Sequence, residues 1–139
     1  MSDAARAALE RLLADLCADG GSAAFLARWG DAVPSERATR RLRVADPADP
    51  AFAWLEVRPW DGGAIGGVEV AFADGQAPTL DELEAWFGPL RELPAAPEGE
   101  PLLSAEWRRD ELPVGATLLV PPPDPPGTAV AELAIRRGR

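Results

Sequence analysis

From residue 39 to residue 136 the chain reads as strands joined by short turns, with one helical stretch among them. Apolar and polar residues alternate over 39–45, 52–60 and 67–73, the period of a strand with one buried face, and further strands are expected over 102–109, 116–120 and 129–136. Stretches rich in Asp, Gly and Pro interrupt them at 46–50, 61–66, 94–101, 111–115 and 121–126. Neighbouring strands joined by short turns pair antiparallel, because a parallel pair needs a crossover of a dozen residues or more. This argues against a doubly wound parallel fold.

Three segments carry helical spacing. In 3–18, Ala5, Leu9, Leu12, Leu13, Leu16 and Cys17 form one apolar stripe, with Ser2 as cap and Gly20 and Gly21 as the stop. A second helix is expected over 22–29, capped by Ser22, burying Phe25, Leu26 and Trp29 and ending at Gly30. The third spans 80–87. Thr79 and Glu82 have the spacing of a capping box, Leu80, Leu83 and Phe87 share a face with Trp86 beside it, and Gly88-Pro89 ends the helix. The expected fold is therefore one α+β domain over 1–139. Its N-terminal helices (1–30) and one central helix pack on a largely antiparallel sheet of about six strands.

The hairpin 52–60/67–73 is the most informative part of the sheet. Its alternation places Leu55, Val57, Val70 and Phe72 on the buried face and Trp54, Glu56, Arg58, Trp60 and Glu69 on the other. Setting Trp60 opposite Gly67 puts Leu55 opposite Phe72, Val57 opposite Val70, Pro59 opposite Val68 and Arg58 opposite Glu69. Either a helix covers the tryptophan face as core, or a partner covers it, and a second copy of this chain is one candidate. Trp107 beside Arg108 and Arg109 is a weaker case of the same pattern.

Composition narrows the chemistry. All 14 basic residues are arginine, and Lys, His, Tyr and Asn are absent, a bias that fits a GC-rich bacterial coding sequence. Without histidine there is no imidazole base for a Ser or Cys nucleophile and no imidazole metal ligand. Ser22 and Ser35 sit where capping and turn roles are expected, and Cys17 falls on an apolar helix face. The glycines at 62, 63, 66 and 67 lack G-x-G-x-x-G spacing and join two strands instead of a strand and a helix, so they read as a hairpin loop. Asp81, Glu82 and Glu84 suit a helix N-terminus, and Asp46, Asp49 and Asp61 lack calcium-loop spacing. No catalytic residue, metal site or cofactor is expected.

The net charge is −9, which disfavours nucleic acid and anionic membranes as partners. No apolar run approaches the roughly 20 residues of a membrane span. The lone cysteine and the lack of an apolar leader suggest a cytoplasmic setting. One basic cluster, Arg37, Arg40, Arg41 and Arg43, is expected to pair with the chain's own acids. The expected function is a non-enzymatic protein-binding module, an acidic partner of the immunity, inhibitor or chaperone kind that meets a basic protein. Its expected binding residues are Trp54, Glu56, Arg58, Trp60 and Glu69. Two alternatives are a small-ligand binder or carboxylate hydrolase built on Glu56, Glu69 and Arg58, and an accessory domain of a larger assembly.

Overall fold

A computed structural model describes residues 3–18, 21–36, 40–59, 65–93, 101–125 and 127–138. Among them the order is α1 (Asp3–Cys17), α2 (Gly21–Trp29), β1 (Ala32–Pro34), β2 (Leu42–Val44), β3 (Phe52–Pro59), β4 (Ile65–Phe72), α3 (Leu80–Phe87), β5 (Arg91–Leu93), β6 (Leu102–Trp107), β7 (Ala116–Val120) and β8 (Glu132–Arg137). The fold is α+β, three helices on a single antiparallel sheet. The sheet has eight strands where about six were expected, in the order β1-β2-β3-β4-β8-β7-β6-β5. The two additional strands, β1 and β5, are three-residue pieces at its two edges.

The sheet is two four-stranded meanders set side by side. The first runs β1 to β4. The chain then passes through α3, starts again at the far edge with β5, and returns strand by strand until β8 lies against β4. That seam pairs Gly67 with Arg136, Glu69 with Ala134 and Ala71 with Glu132.

One face of the sheet meets the helices. Val44, Leu55, Val70 and Leu133 lie in one cross-strand row, and Leu42, Val57, Val68, Ile135 and Leu118 in the next. These join a single core with Leu9, Leu12, Leu13 and Leu16 of α1, Phe25 and Trp29 of α2 and Leu83 of α3. The apolar stripe of α1 is buried as its spacing predicts, and α2 starts at Gly21, so Ser22 lies inside the helix instead of capping it. Asp15 joins the first two helices, accepting hydrogen bonds from Arg28 (2.9 Å) and from the Trp29 indole N–H (2.9 Å).

The capping box of α3 is present. The Glu82 N–H donates to Thr79 Oγ1 (3.2 Å), and the Thr79 N–H donates back to Glu82 Oε1 (3.0 Å). Gly88 closes the helix at φ 91°, a backbone angle glycine adopts without strain, and its N–H reaches the Glu84 carbonyl. Thr79→Ala is expected to lower stability by about 1 kcal/mol. Leu83→Ala, which empties a buried position, is expected to lower it by roughly 2–5 kcal/mol. Urea melts that reversed this order would contradict the placement of the helix's buried face.

Cys17 is fully buried on α1. Burial pushes its thiol above the ordinary value, and the Arg137 guanidinium opposes this in part. A raised thiol pKa means that the folded state holds its proton longer than the unfolded chain. Stability is therefore intact below the ordinary thiol value of about 8.5 and declines as pH rises past it. With no Lys, Tyr or His in the sequence, no other side chain titrates in that range below the arginines. Wild-type urea melts from pH 7 to pH 10 should show this decline, and Cys17→Ala should flatten it. Equal slopes for the two proteins would rule Cys17 out as the titrating group.

Candidate functional site

Residues of all three helices join the core on the first face of the sheet, and polar side chains mark the second. Its central row runs Arg43 (β2), Glu56 (β3), Glu69 (β4), Ala134 (β8), Leu119 (β7) and Ser104 (β6). The neighbouring row runs Arg58, Gly67, Arg136, Thr117 and Glu106. Trp54, Glu56, Arg58 and Glu69 all belong to this face, as the alternation predicts. Trp60 and Arg37 lie outside the described residues, as do 61–64 and 94–100, where loops were expected.

The register of the hairpin corrects one expectation. Leu55 faces Val70 and Val57 faces Val68, a slip of two residues from the pairing proposed above. Irregularities at Phe52/Trp54 and at Arg58/Pro59 shift the ladder, and Pro59 pairs with Ile65. A two-residue slip keeps every side chain on its expected face but changes its opposite number. Arg58 therefore faces Gly67 and not Glu69, and Glu56 faces Glu69 directly.

Two like charges opposite each other on a sheet repel, and β2 and the segment before it supply the compensation. Arg43 donates to Glu56 Oε2 (2.8 Å), Ser35 Oγ donates to Glu56 Oε1 (2.6 Å), and Arg41 donates to Glu69. Glu56 is 1% exposed, the only charged residue among the buried ones of the described residues. The Arg43 guanidinium also lies over the Trp54 ring, 4.2 Å from its centroid, a cation–π contact that holds this arginine between indole and carboxylate. Ser35, expected in a turn role, is thus a ligand of a buried carboxylate. Of the basic cluster, Arg41 and Arg43 pair with the chain's own acids as expected.

Beside this network the face sinks into a hollow of about 570 Å³. Arg41, Glu56, Arg58, Glu69, Leu119 and Arg136 contribute to its lining, with Gly66 and Gly67 on β4. Gly67 has no room for a side chain, since a Cβ there would stand 2.6 Å from the Ile135 carbonyl oxygen. Arg58 and Arg136 flank this glycine on the adjoining strands, and neither makes an ion pair among the described residues.

The structure thus brings Glu56, Arg58 and Glu69 together in one hollow, with Trp54 next to it under Arg43. Sequence reasoning missed Ser35 and Arg136 and did not assign Arg41 and Arg43 to this face. The pattern did hold a sign of three of them. Arg41 and Arg43 alternate with Leu42 and Val44, and Arg136 follows Ile135, so all three fall opposite the apolar face. Among the described residues, no three His, Cys, Asp or Glu side chains gather where they could hold a metal ion.

No family model, no curated protein and no solved structure matches the chain. Its function has to be read from this geometry.

Proposed function

We propose that the chain is a non-enzymatic binding protein that recognises another protein through the sheet face carrying Trp54, Glu56, Arg58 and Glu69. The observation that supports this reading is the state of the two carboxylates. A glycosidase-type acid must be accessible to substrate and have its pKa raised. Glu56 is buried and held by Ser35 and Arg43, and Glu69 is held by Arg41. Glu56 serves as a buried support and Glu69 as part of the charged surface beside it, which favours binding over hydrolysis. A rigid platform of Trp and Arg bordering a hollow has the composition of a binding hot spot, and the net charge of −9 favours long-range attraction to a basic protein.

The test compares two variants in capture and association experiments with host extract. Leu119→Arg alters the open face, and Ala7→Arg alters the exposed side of α1. For a partner that binds the open face, Leu119→Arg should weaken association about tenfold or more while Ala7→Arg leaves it unchanged. The wild-type association rate should also fall as salt rises, because steering is screened beyond a Debye length of about 8–10 Å. A partner lost by Ala7→Arg and retained by Leu119→Arg would overturn the proposal.

A further inference from the structure

We infer that the hollow over Gly67 is an oxyanion seat, and that it receives an acidic side chain of the partner protein, with Arg58 and Arg136 as its ligands. The inference rests on the binding reading of this face and deepens it by naming the group that docks. It is carried by how the arginines of this chain are used. Arg6, Arg11, Arg28, Arg41 and Arg43 each meet a carboxylate. Of the hollow's two carboxylates, Glu56 is compensated by Arg43, which stands outside the lining, and Glu69 by Arg41. Arg137, also in the lining, belongs to the helix-facing side and donates to the Leu16 carbonyl, so on the open face Arg58 and Arg136 are left without a carboxylate among the described residues.

Their placement adds a second reason. Arg58, Gly67 and Arg136 stand in one cross-strand row. Adjacent strands lie about 4.8 Å apart, so the two arginines start roughly 10 Å from each other with no side chain between them. Two long guanidinium side chains rising on either side of a bare glycine can close on one carboxylate from both sides. Each offers a planar fork that matches a carboxylate's two oxygens. Thr117, the next residue in the row, brings no negative charge to Arg136, and its hydroxyl donates to Glu106. Like-charged guanidiniums this near each other repel until an anion arrives.

The seat acts at short range and the overall charge at long range. A basic partner would be drawn in by the acidic surface and set in register by one acidic side chain placed between Arg58 and Arg136. The expected opposite number is therefore a basic protein with an acidic anchor.

The probe is a capped triglutamate peptide, with a capped trilysine peptide of equal length as control, titrated into the full chain. The readout is the Nε–H resonances of the arginines in two-dimensional NMR. Triglutamate should shift Arg58 and Arg136 saturably and leave Arg6 and Arg28 in place, while trilysine shifts neither of the pair. R58Q and R136Q should each weaken the peptide about tenfold, the loss of one charge-assisted contact. R58K, which keeps the charge and loses the fork, should fall between. Both glutamine variants change exposed side chains, and unchanged melting temperatures would confirm that they fold. Triglutamate shifts spread over all exposed arginines, or unaltered in R58Q and R136Q, would overturn the seat. If the seat binds triglutamate but Leu119→Arg leaves partner capture intact, the binding face has failed and the seat stands. If Leu119→Arg abolishes capture while R58Q and R136Q do not weaken it, the face stands and the acidic anchor is overturned.

Discussion

Replacing Trp29 with alanine is expected to cost about 3–5 kcal/mol, the range for emptying a large aromatic site in a core. The indole is 1% exposed, and three kinds of contact end there. Its ring packs against Phe25 (6.2 Å between centroids) and Phe52 (5.8 Å), and Phe52 continues the chain of rings to Phe72. Its N–H donates to Asp15 on α1. The Arg11 guanidinium lies over its ring, 5.3 Å from the centroid. Truncation removes the apolar contacts and leaves Asp15 with Arg28 alone. A domain with a total stability of about 5–15 kcal/mol would lose a large share of it. Trp29→Phe separates the terms. It keeps most of the ring contacts and loses the hydrogen bond, so it should cost only about 1–2 kcal/mol. Urea midpoints at unchanged m-value measure both. The assignment of Trp29 as the link between α1, α2 and the sheet fails if Trp29→Ala costs no more than Trp29→Phe.

Glu56→Ala is the second large effect, at about 3 kcal/mol. Removing one member of a buried ion pair strands the other, at a cost of about 3–5 kcal/mol. Two features hold the value to the low end. Arg43 keeps a side-chain exposure of 24%, so water recovers part of its solvation, and the loss of Glu56 relieves its repulsion with Glu69 across the ladder. Glu56→Gln keeps an oxygen for Ser35 but drops the charge that holds Arg43, and should fall between Glu56→Ala and the wild type. The double variant Glu56→Leu, Arg43→Leu should recover most of the loss, because neither charge is then left unanswered. Denaturant melts of the four proteins give this ranking. A Glu56→Ala cost below about 0.5 kcal/mol, the range of an ordinary surface change, would show that the buried carboxylate is not a structural ion.

The helices were legible because their ends are written locally. The Thr79–Glu82 pair and Gly88 bound α3 at the residues the sequence names, and Gly30 stops α2. The faces of β3 and β4 were legible for a similar reason, since alternation depends only on parity. The register depends on the turn and on the two irregularities in the ladder, neither of which has a residue pattern of its own. The slip of two residues follows from this. The candidate site was legible only in part. Glu56, Arg58 and Glu69 come from one hairpin, but Ser35, Arg41 and Arg43 reach them from β2 and the segment before it, and Arg136 reaches them across the β4·β8 seam. Such partners are set by strand order, which the sequence does not spell out.

The three-residue strands β1 and β5 were overlooked because they are too short to show a period. Their shortness has a consequence for self-association. An open antiparallel sheet ends in two rows of unpaired N–H and C=O groups, and those rows are templates on which further chains can polymerise. Here, among the described residues, each edge offers only three residues to a newcomer. On one edge Pro34 has no N–H to give, and on the other Arg91 and Glu92 would have to enter the growing ladder. The large exposed apolar residues, Val33 and Leu93, sit on these same edges, where a longer strand would have made them nuclei for fibrils. On the β1 side the strand stops after Pro34, so among the described residues that edge offers a newcomer little ladder on which to grow.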